Sequence, residues 1–246
     1  MPRHQAIART IPDIPRWVEA RAYLLTGDCE IFGLDESNEE PALVVRDRST
    51  GFIVVVGAPA VGAIQAAARE RVPGQSLVAA PEHAERVARA LPTWRRTRAI
   101  LYELRDPARL PAASSTGDVR FVDLELLKNQ PLIPADLLAE LSDGAAGSPI
   151  VAAFVDGLPV SFCYAGSITE SLWDISIDTL AHHRRRGHAA RCVTHLIHHM
   201  RERGLAPVWA ALEENPASWR LAEKLGFVRT DELAFLEPPD DPADVR

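Results

Sequence analysis

The sequence predicts a mixed α/β protein of the α+β type, with a mostly antiparallel sheet flanked by helices and preceded by a smaller α/β N-terminal half. Three observations lead to this prediction. Short β-branched runs are separated by Gly-containing turns, segments with helical spacing lie between them, and the stretch RDPARLPAASSTGD at 105–118 has no apolar period. Because that stretch is typical of a linker, we expect domains at 1–110 and 118–236 and a flexible acidic tail at 237–246.

The first half is expected to have the order β-β-α-β-α-β. Apolar runs at 42–45 and 52–57 flank the polar turn RDRSTG, which indicates a hairpin. Apolar residues at helical spacing predict helices in VGAIQAAARERV and PEHAERVARAL. Strands are expected in SLVAA and TRAILYEL, which are rich in apolar and β-branched residues.

The second half is expected to begin with a strand in VRFVDL and a short helix in IPADLLAEL. Two further strands flank Asp156-Gly157, a dipeptide typical of tight hairpin turns. In SLWDISIDTL, Trp173, Ile175 and Ile177 alternate with polar residues, which indicates a strand with one buried face. After one more helix, we expect a strand in APVWAALEE, a helix in NPASWRLAEKLGF and a last strand in ELAFLEP.

Composition and charge exclude several classes of protein. Of 246 residues, 47% are apolar and 25% are charged, and the formal net charge of −7 argues against a protein built to hold nucleic acid. Cys29, Cys163 and Cys192 are far apart and form no CxxC motif, so neither a disulfide framework nor a zinc ribbon is expected. The sequence shows neither a signal-peptide pattern nor a run of about 18 apolar residues. We therefore expect a cytoplasmic protein with no nucleic-acid partner and no membrane partner.

The stretch HHRRRGHAARC at 182–192 lies where a predicted strand ends and a helix begins. The helix is expected to run from Gly187 to about Arg203, with Gly204 as its stop. Its apolar side chains share one face, which should pack on the sheet: Ala189, Val193, Leu196, Ile197 and Met200. Its polar side chains should share the opposite, solvated face: His188, Arg191, His195, His199 and Glu202.

A helix that starts directly after a strand is a typical phosphate site. Its first turn presents unpaired backbone N–H groups and a partial positive charge. Gly187 lets a ligand approach the backbone, and Ala189 keeps the next turn small. Arg184, Arg185 and Arg186 add charged hydrogen-bond donors. The alternative reading is that the three arginines only form a solvated loop.

These residues resemble a known motif. Arg184-x-x-Gly187-x-Ala189 is similar to the R/Q-x-x-G-x-G/A motif of the GNAT superfamily of N-acetyltransferases. The preceding SLWDISIDTLAHH resembles the splayed central strand of that family, and NPASWRLAEKLGF resembles its downstream N-x-x-(A/S) segment. The resemblance covers 118–236 and is strongest over 171–228. By element order, the first half resembles the degenerate N-terminal half of glycine N-acyltransferase-like members.

The resemblance implies how acetyl-coenzyme A (acetyl-CoA) would be bound. The loop and helix start would hold its pyrophosphate, and a backbone N–H of the central strand would stabilise the oxyanion. Asn215 would contact the pantetheine arm, although Asn215-Pro216 is also a good helix start by itself. The implied cofactor-binding residues are Ile177, Asp178, Thr179, Arg184, Arg185, Arg186, Gly187, His188, Ala189, Ala190 and Asn215.

The catalytic acid and base stay unassigned at this point. The general acid of the family is a tyrosine four residues before the glycine of the G-F pair, and that position is Ala222 in this sequence. Ser218 is a candidate acid, and water is the alternative. Glu213 and Asp178 are candidate bases, among other carboxylates near the same strands: Glu170, Asp174 and Glu214.

A metal site is not expected. Cys192, His195 and His199 have helical spacing that could hold a metal ion, but the segment lacks the interleaved carboxylate of an HExxH motif. The resemblance therefore implies an N-acetyltransferase that moves an acetyl group from acetyl-CoA to a primary amine of a small molecule or protein. The alternative is a catalytically inactive coenzyme A-binding sensor or regulatory module. The N-terminal half could shape the acceptor pocket, pack as a pseudo-domain or form a homodimer interface.

Overall fold

The structure, a computed structural model, describes residues 3–34, 41–111 and 118–239. The acidic tail from residue 240 and most of the predicted linker, 112–117, lie outside the described residues. None of the helices in the described part of the chain combines the length and the apolar character needed to span a bilayer.

The described chain contains eight α-helices and eleven β-strands. The helices are α1 (Arg3–Ala8), α2 (Val18–Thr26), α3 (Val61–Ala67), α4 (Ala84–Ala90), α5 (Leu124–Lys128), α6 (Ala135–Ala145), α7 (His188–Glu202) and α8 (Pro216–Lys224). The strands are β1 (Cys29–Phe32), β2 (Leu43–Asp47), β3 (Ile53–Val56), β4 (Leu77–Ala79), β5 (Arg95–Leu104), β6 (Val119–Val122), β7 (Ile150–Val155), β8 (Leu158–Ile168), β9 (Leu172–Thr179), β10 (Ala206–Leu212) and β11 (Phe227–Glu237). Short 3-10 turns occur at Pro15–Trp17, Pro81–His83, Pro107–Arg109 and Ala181–His183.

The chain divides into two compact units. The first unit comprises Met1–Leu101, Ala211–Trp219 and Thr230–Arg246, and the second comprises Tyr102–Ala210 and Arg220–Arg229. Strands β5 and β11 each contribute residues to both units.

The first unit is built on the strand order β1-β2-β3-β4-β11. Strands β1, β2 and β3 pair antiparallel, β3 and β4 pair in parallel, and β4 pairs antiparallel with β11. The parallel step is made through α3, whose apolar residues Ile64 and Ala67 are buried with those of α4 and the strands. The core therefore lies between this sheet and the pair α3 and α4.

The second unit has the strand order β10-β9-β8-β7-β6. Strands β6 to β9 pair antiparallel, and β9 pairs in parallel with β10 across the α7 connection. Asp156 and Gly157 both have positive φ, 49° and 81°, as the tight β7–β8 hairpin requires. Buried side chains of β7 and β8 pack with α5 and α6 on one face of the sheet, while α7 packs on β7 and β8. Because side chains alternate along a strand, α7 lies on the opposite face.

The structure confirms the predicted fold class, a mixed and mostly antiparallel sheet flanked by helices. It also adds elements that the sequence analysis missed, α1, α2, β1 and α5. Predicted helix 61–72 ends at Ala67, and the last strand starts at Phe227 instead of residue 232. The early start is explained by Gly226, whose φ of 92° ends α8 and turns the chain directly into β11.

Candidate functional site

Strand β9 parts from its neighbour β10 in the middle of its length. The parallel register runs from Ala206↔Leu172 to Val208↔Asp174 and ends there. The remaining residues of β9, 175–179, stay paired with β8 up to Thr179↔Ser161. Within the described register, the other edge of this segment has no strand partner. The backbone N–H and C=O groups on that edge, apart from the Thr179 oxygen that Arg184 contacts, are therefore available to a ligand.

The loop after β9 leads into α7 and contains two residues with left-handed backbone conformation. Arg185 has a φ of 61° and Gly187, the residue before α7, a φ of 83°. A non-glycine residue in this region is uncommon and marks a constrained loop. A Cβ atom added to Gly187 would meet no heavy atom within 4 Å, so the space above the first turn of α7 is open. The first N–H groups of α7 point along the helix axis and carry a partial positive charge.

The three loop arginines differ in what they do. Arg184, Arg185 and Arg186 are all exposed. The Arg184 Nε donates a hydrogen bond of 3.0 Å to the backbone oxygen of Thr179, which ties the loop to the end of β9. Arg185 and Arg186 add two exposed cations beside the helix start, and the site is therefore suited to an anionic ligand.

A network of three side chains holds the first turn of α7 in place. Arg191 forms an ion pair with Asp118, directly before β6, and its Nη2 donates to the His188 Nδ1 at 2.9 Å. Since arginine has no acceptor, His188 must accept at Nδ1, so its neutral form carries the proton on Nε2. Burial first, and then Arg191, lower the pKa of His188. The placement of His188 on the solvated face was wrong, since its side chain is 7% exposed and turned toward this network.

On α7, the three side chains whose spacing could hold a metal ion serve in packing instead. They are Cys192, His195 and His199. The Cys192 thiol is enclosed, contacts the Ser161 backbone oxygen at 3.6 Å and has its pKa raised to about 12 by burial. His195 and His199 are half-buried and pack edge-on against the Phe121 ring, with centroids 5.0 and 4.8 Å away. Among residues 3–34, 41–111 and 118–239, no three His, Cys, Asp or Glu side chains are grouped to hold a metal ion.

Asp178 lies just before the loop, on the segment of β9 that is paired with β8 but not with β10. Its side chain is half-buried and is opposite Phe162 of β8, on the face that α5 and α6 cover. Burial raises the pKa of Asp178, Asp136 raises it further, and the Arg184 cation opposes the shift. A carboxylate held in this way can accept a proton near neutral pH more readily than an exposed one.

Helix α6 packs closely against Tyr164 of β8 because it contains a glycine. A Cβ atom on Gly144 would lie 2.3 Å from the Tyr164 ring, so only glycine allows this contact. Tyr164 is buried, and its hydroxyl is hydrogen-bonded to Ser176. Burial raises the pKa of Glu140 on α6, and the nearby Asp178 raises it further.

These residues around Asp178 were not among the sequence candidates. Tyr164 and Ser176 lie opposite each other on β8 and β9, and Asp136 and Glu140 lie one turn apart on α6. The i,i+4 spacing of the two carboxylates was visible in the predicted helix IPADLLAEL. Their closeness to β9 depends on how α6 packs, for which the sequence gives no local signal.

The other predicted site residues are used differently. Asn215 accepts a hydrogen bond of 3.2 Å from the Ser218 backbone N–H, as a helix N-cap does. Glu213 is paired with Arg98 at 3.0 Å, and all of Glu213, Asn215 and Ser218 belong to the first unit. Ile177, Asp178, Thr179 and 184–190 are brought together in the second unit. Ala222 is fully buried, so the position of the family tyrosine is occupied by a core side chain that has no hydroxyl.

Comparison with known proteins shows what this part of the chain resembles. Residues 146–236 match the model of the GNAT acetyltransferase family. No curated protein matches the chain.

Solved structures share the fold. A GCN5-related N-acetyltransferase-like protein from Streptococcus suis has a TM-score of 0.70 at 20% identity, covering 94% of this chain and 97% of that chain. A GCN5-related N-acetyltransferase from Kribbella flavida has a TM-score of 0.60 at 16% identity, covering both chains completely, 100% of each. A tandem GNAT protein from the clavulanic acid biosynthesis pathway has a TM-score of 0.55 at 13% identity, covering 91% of this chain and 89% of that chain. Residues 146–236 are thus similar to the GNAT acetyltransferase family, and the chain shares its fold with these solved structures.

Proposed function

We propose that this protein transfers an acetyl group from acetyl-CoA to a primary amine of a small molecule or protein. The observation that carries the proposal is the strand edge at 175–179, left unpaired directly before a basic loop and the start of α7. An extended polar arm can pair with that edge while a diphosphate reaches the helix start. Coenzyme A has this combination of groups, and it ends in the thioester that acetyl transfer needs.

The loop residues would hold the anionic end of the donor. The open space at Gly187 leaves room for phosphate oxygens against the N–H groups of 187–190. Arg185 and Arg186 would neutralise phosphate charge, while Arg184 keeps the loop against Thr179. The side chains of Asp118, Arg191 and His188 would keep the first turn of α7 in place.

Asp178 is the residue we propose as the general base. It lies on the segment where the pantetheine arm would pair, so an amine that approaches the thioester from the α6 side meets its carboxylate. Asp178 would accept the proton that the ammonium must lose, and the amine nitrogen would then form a bond to the thioester carbon. The carbon–sulfur bond breaks, the new amide nitrogen loses its second proton to solvent, and the thiolate takes a proton from water, because Ala222 offers no acid. A backbone N–H of 177–179 would stabilise the oxyanion.

Thiol release in the presence of amines tests this function. The purified protein is mixed with acetyl-CoA and a panel of small amines and amine-bearing peptides, and free thiol is followed over time. The proposal predicts amine-dependent thiol release with an acetylated product of matching mass. The second candidate is a coenzyme A-binding module without chemistry, which the buried Ala222 favours. Binding of acetyl-CoA without turnover of any amine would support that second candidate.

A further inference from the structure

The hydrogen bonds between β8 and β9 show which way the backbone of Thr179 points. Thr179 is opposite Ser161, and at the next position the Leu180 N–H donates to the Val160 oxygen at 2.9 Å. Hydrogen-bonded and non-hydrogen-bonded pairs alternate along an antiparallel ladder, so Thr179 and Ser161 form a non-hydrogen-bonded pair. The N–H of Thr179 therefore points away from β8, toward the edge beyond the β10 register.

The same alternation assigns the neighbouring residues of β9. Asp178 is opposite Phe162 in a hydrogen-bonded pair, so its backbone N–H is used within the sheet. Ile177 forms a non-hydrogen-bonded pair with β8, as Thr179 does, and its N–H also faces the open edge. The two N–H groups lie about 6.6 Å apart along the strand, at about 3.3 Å per residue. The edge thus presents two donors in line.

A buried hydroxyl holds the peptide that carries the Thr179 N–H. Ser161 is fully buried, and its Oγ donates to the backbone oxygen of Asp178 at 3.0 Å. That oxygen and the Thr179 N–H belong to one planar trans peptide, so they point in opposite directions. By holding the oxygen on the β8 side, Ser161 directs the N–H at the open edge.

The Thr179 side chain supports this contact. Its Oγ1 lies 2.7 Å from the Ser161 Oγ. Because the single hydroxyl proton of Ser161 goes to the Asp178 oxygen, the Thr179 hydroxyl must donate to Ser161. Hydrogen bonds in series polarise one another, and a peptide whose oxygen accepts such a bond becomes a stronger N–H donor. The two hydroxyls therefore both fix and strengthen the Thr179 N–H.

The position of Thr179 determines which part of the donor it would meet. Its backbone oxygen already accepts from the Arg184 Nε at 3.0 Å, so the N–H is the group that it offers to a ligand. Thr179 is also the last residue of β9, next to the loop that would hold the phosphates. A donor whose diphosphate lies at that loop would reach Thr179 with its pantetheine arm, and Ile177, farther along the edge, with its thioester.

We infer that Ser161 is a positioning residue for the donor: through the peptide between Asp178 and Thr179, its hydroxyl aims the Thr179 N–H at a carbonyl oxygen of the pantetheine arm. This inference rests on the proposed function. Ser161 is enclosed in the sheet, so it acts only through that peptide. Its contribution should therefore appear in the affinity for ligands that carry the arm, and not in the affinity for the phosphates.

Two ligands that differ by the arm test the inference on Ser161→Ala. Calorimetric titration gives the Kd of coenzyme A, and displacement of coenzyme A gives the Kd of 3′-phospho-ADP, the same nucleotide without the arm. We expect coenzyme A to bind about 3-fold to 10-fold more weakly than to the unmodified protein, the effect of weakening one hydrogen bond. The affinity for 3′-phospho-ADP should stay the same.

Ser148→Ala is the matched control. Ser148 is also a buried serine of the second unit, and its Oγ accepts from the Ala165 N–H at 3.0 Å and donates to the Pro149 oxygen at 3.1 Å. Removing this hydroxyl should lower stability, as in Ser161→Ala, and leave the affinity for both ligands unchanged. A loss of affinity for coenzyme A in Ser148→Ala of the same size would overturn the inference.

The remaining outcomes separate the inference from the proposed function. Unchanged affinity for coenzyme A in Ser161→Ala, or equal weakening of both ligands, would overturn the role of Ser161 and leave the proposed function standing. No binding of coenzyme A to the unmodified protein would contradict the proposed function, and the inference with it. If Ser161→Ala does not fold, Ser161→Cys fills the same space with a weaker donor and has the same expected result.

Discussion

At the scale of single residues, the proposed chemistry depends on Asp178. Its carboxylate is half-buried on the part of β9 that has no partner on the β10 side, and its pKa is raised by burial and by Asp136. We expect Asp178→Asn to lower kcat by about 100-fold to 10,000-fold, the usual contribution of a general base, while the KM for acetyl-CoA changes little. Steady-state kinetics with the best amine measures both. Glu213→Gln is the control, since Glu213 is engaged with Arg98 and should keep kcat.

The pH dependence of turnover independently tests whether Asp178 is the general base. A base must be ionised to act, so kcat/KM should fall as the pH falls through the pKa of Asp178, which lies above its ordinary value of 3.8. The Asn variant should lose this acidic limb. An unchanged acidic limb in Asp178→Asn would assign the base to another group.

At the scale of secondary-structure elements, the first turn of α7 is held by the contacts of Arg191 with Asp118 and His188. We expect Arg191→Met to lower the free energy of unfolding by about 1–2 kcal/mol, since charged hydrogen bonds are lost at a partly buried position. The same variant should bind coenzyme A several-fold more weakly, because the N–H groups of that turn are no longer fixed. Chemical denaturation and calorimetric titration measure the two effects.

The control for this element is the exposed pair Lys128–Glu125 on α5. Lys128→Met removes an ion pair of the same type but should change stability by less than about 0.5 kcal/mol. It should leave coenzyme A binding unchanged. If Arg191→Met loses stability yet keeps its full affinity, the first turn of α7 does not depend on this network.

The elements that position the site are also those that the sequence predicts best. The alternation in 172–179, the Asp156-Gly157 turn and the apolar stripe of α7 are local signals, and the structure has all three. In contrast, α2 was missed because it buries Val18, Ala20, Arg21, Ala22 and Leu24, which share no single face. An amphipathic pattern does not arise in such a helix.

The burial of His188 and the meeting of α6 with β9 were missed for another reason. His188 is buried through Arg191, whose partner Asp118 lies 73 residues away in sequence. Tyr164 meets α6 only because residue 144 is a glycine. Such contacts depend on packing between distant segments, and no period or motif in one segment shows them.

At the scale of the whole molecule, the charge of the protein opposes the charge of its proposed ligand. The chain has a formal net charge of −7, and coenzyme A is an anion, so the total field repels it. Arg184, Arg185 and Arg186 act over a shorter range. The screening length is about 8 Å at physiological ionic strength, so ions in contact with the ligand should dominate.

The salt dependence of coenzyme A binding shows whether the net charge of the protein or the loop arginines dominate. We expect the Kd for coenzyme A to rise between low and high salt, because screening weakens the arginine contacts. In Arg185→Gln with Arg186→Gln, the Kd should be higher at low salt and depend less on salt. Calorimetric titration at a series of salt concentrations measures this. A Kd that falls as salt is added would mean that the net negative charge governs binding and that the loop is not the anion site.

The most direct test of the central claim is a calorimetric titration of acetyl-CoA into the unmodified protein, Gly187→Asp and Gly204→Asp. Both glycines flank α7, have φ values of 83° and 77° and have open space where a side chain would be added. The two variants therefore introduce similar backbone strain and the same charge at opposite ends of one helix. The account predicts binding by the unmodified protein and by Gly204→Asp, and a loss of binding in Gly187→Asp. Equal affinity in the two variants, or no binding by the unmodified protein, would contradict the placement of the donor at the start of α7.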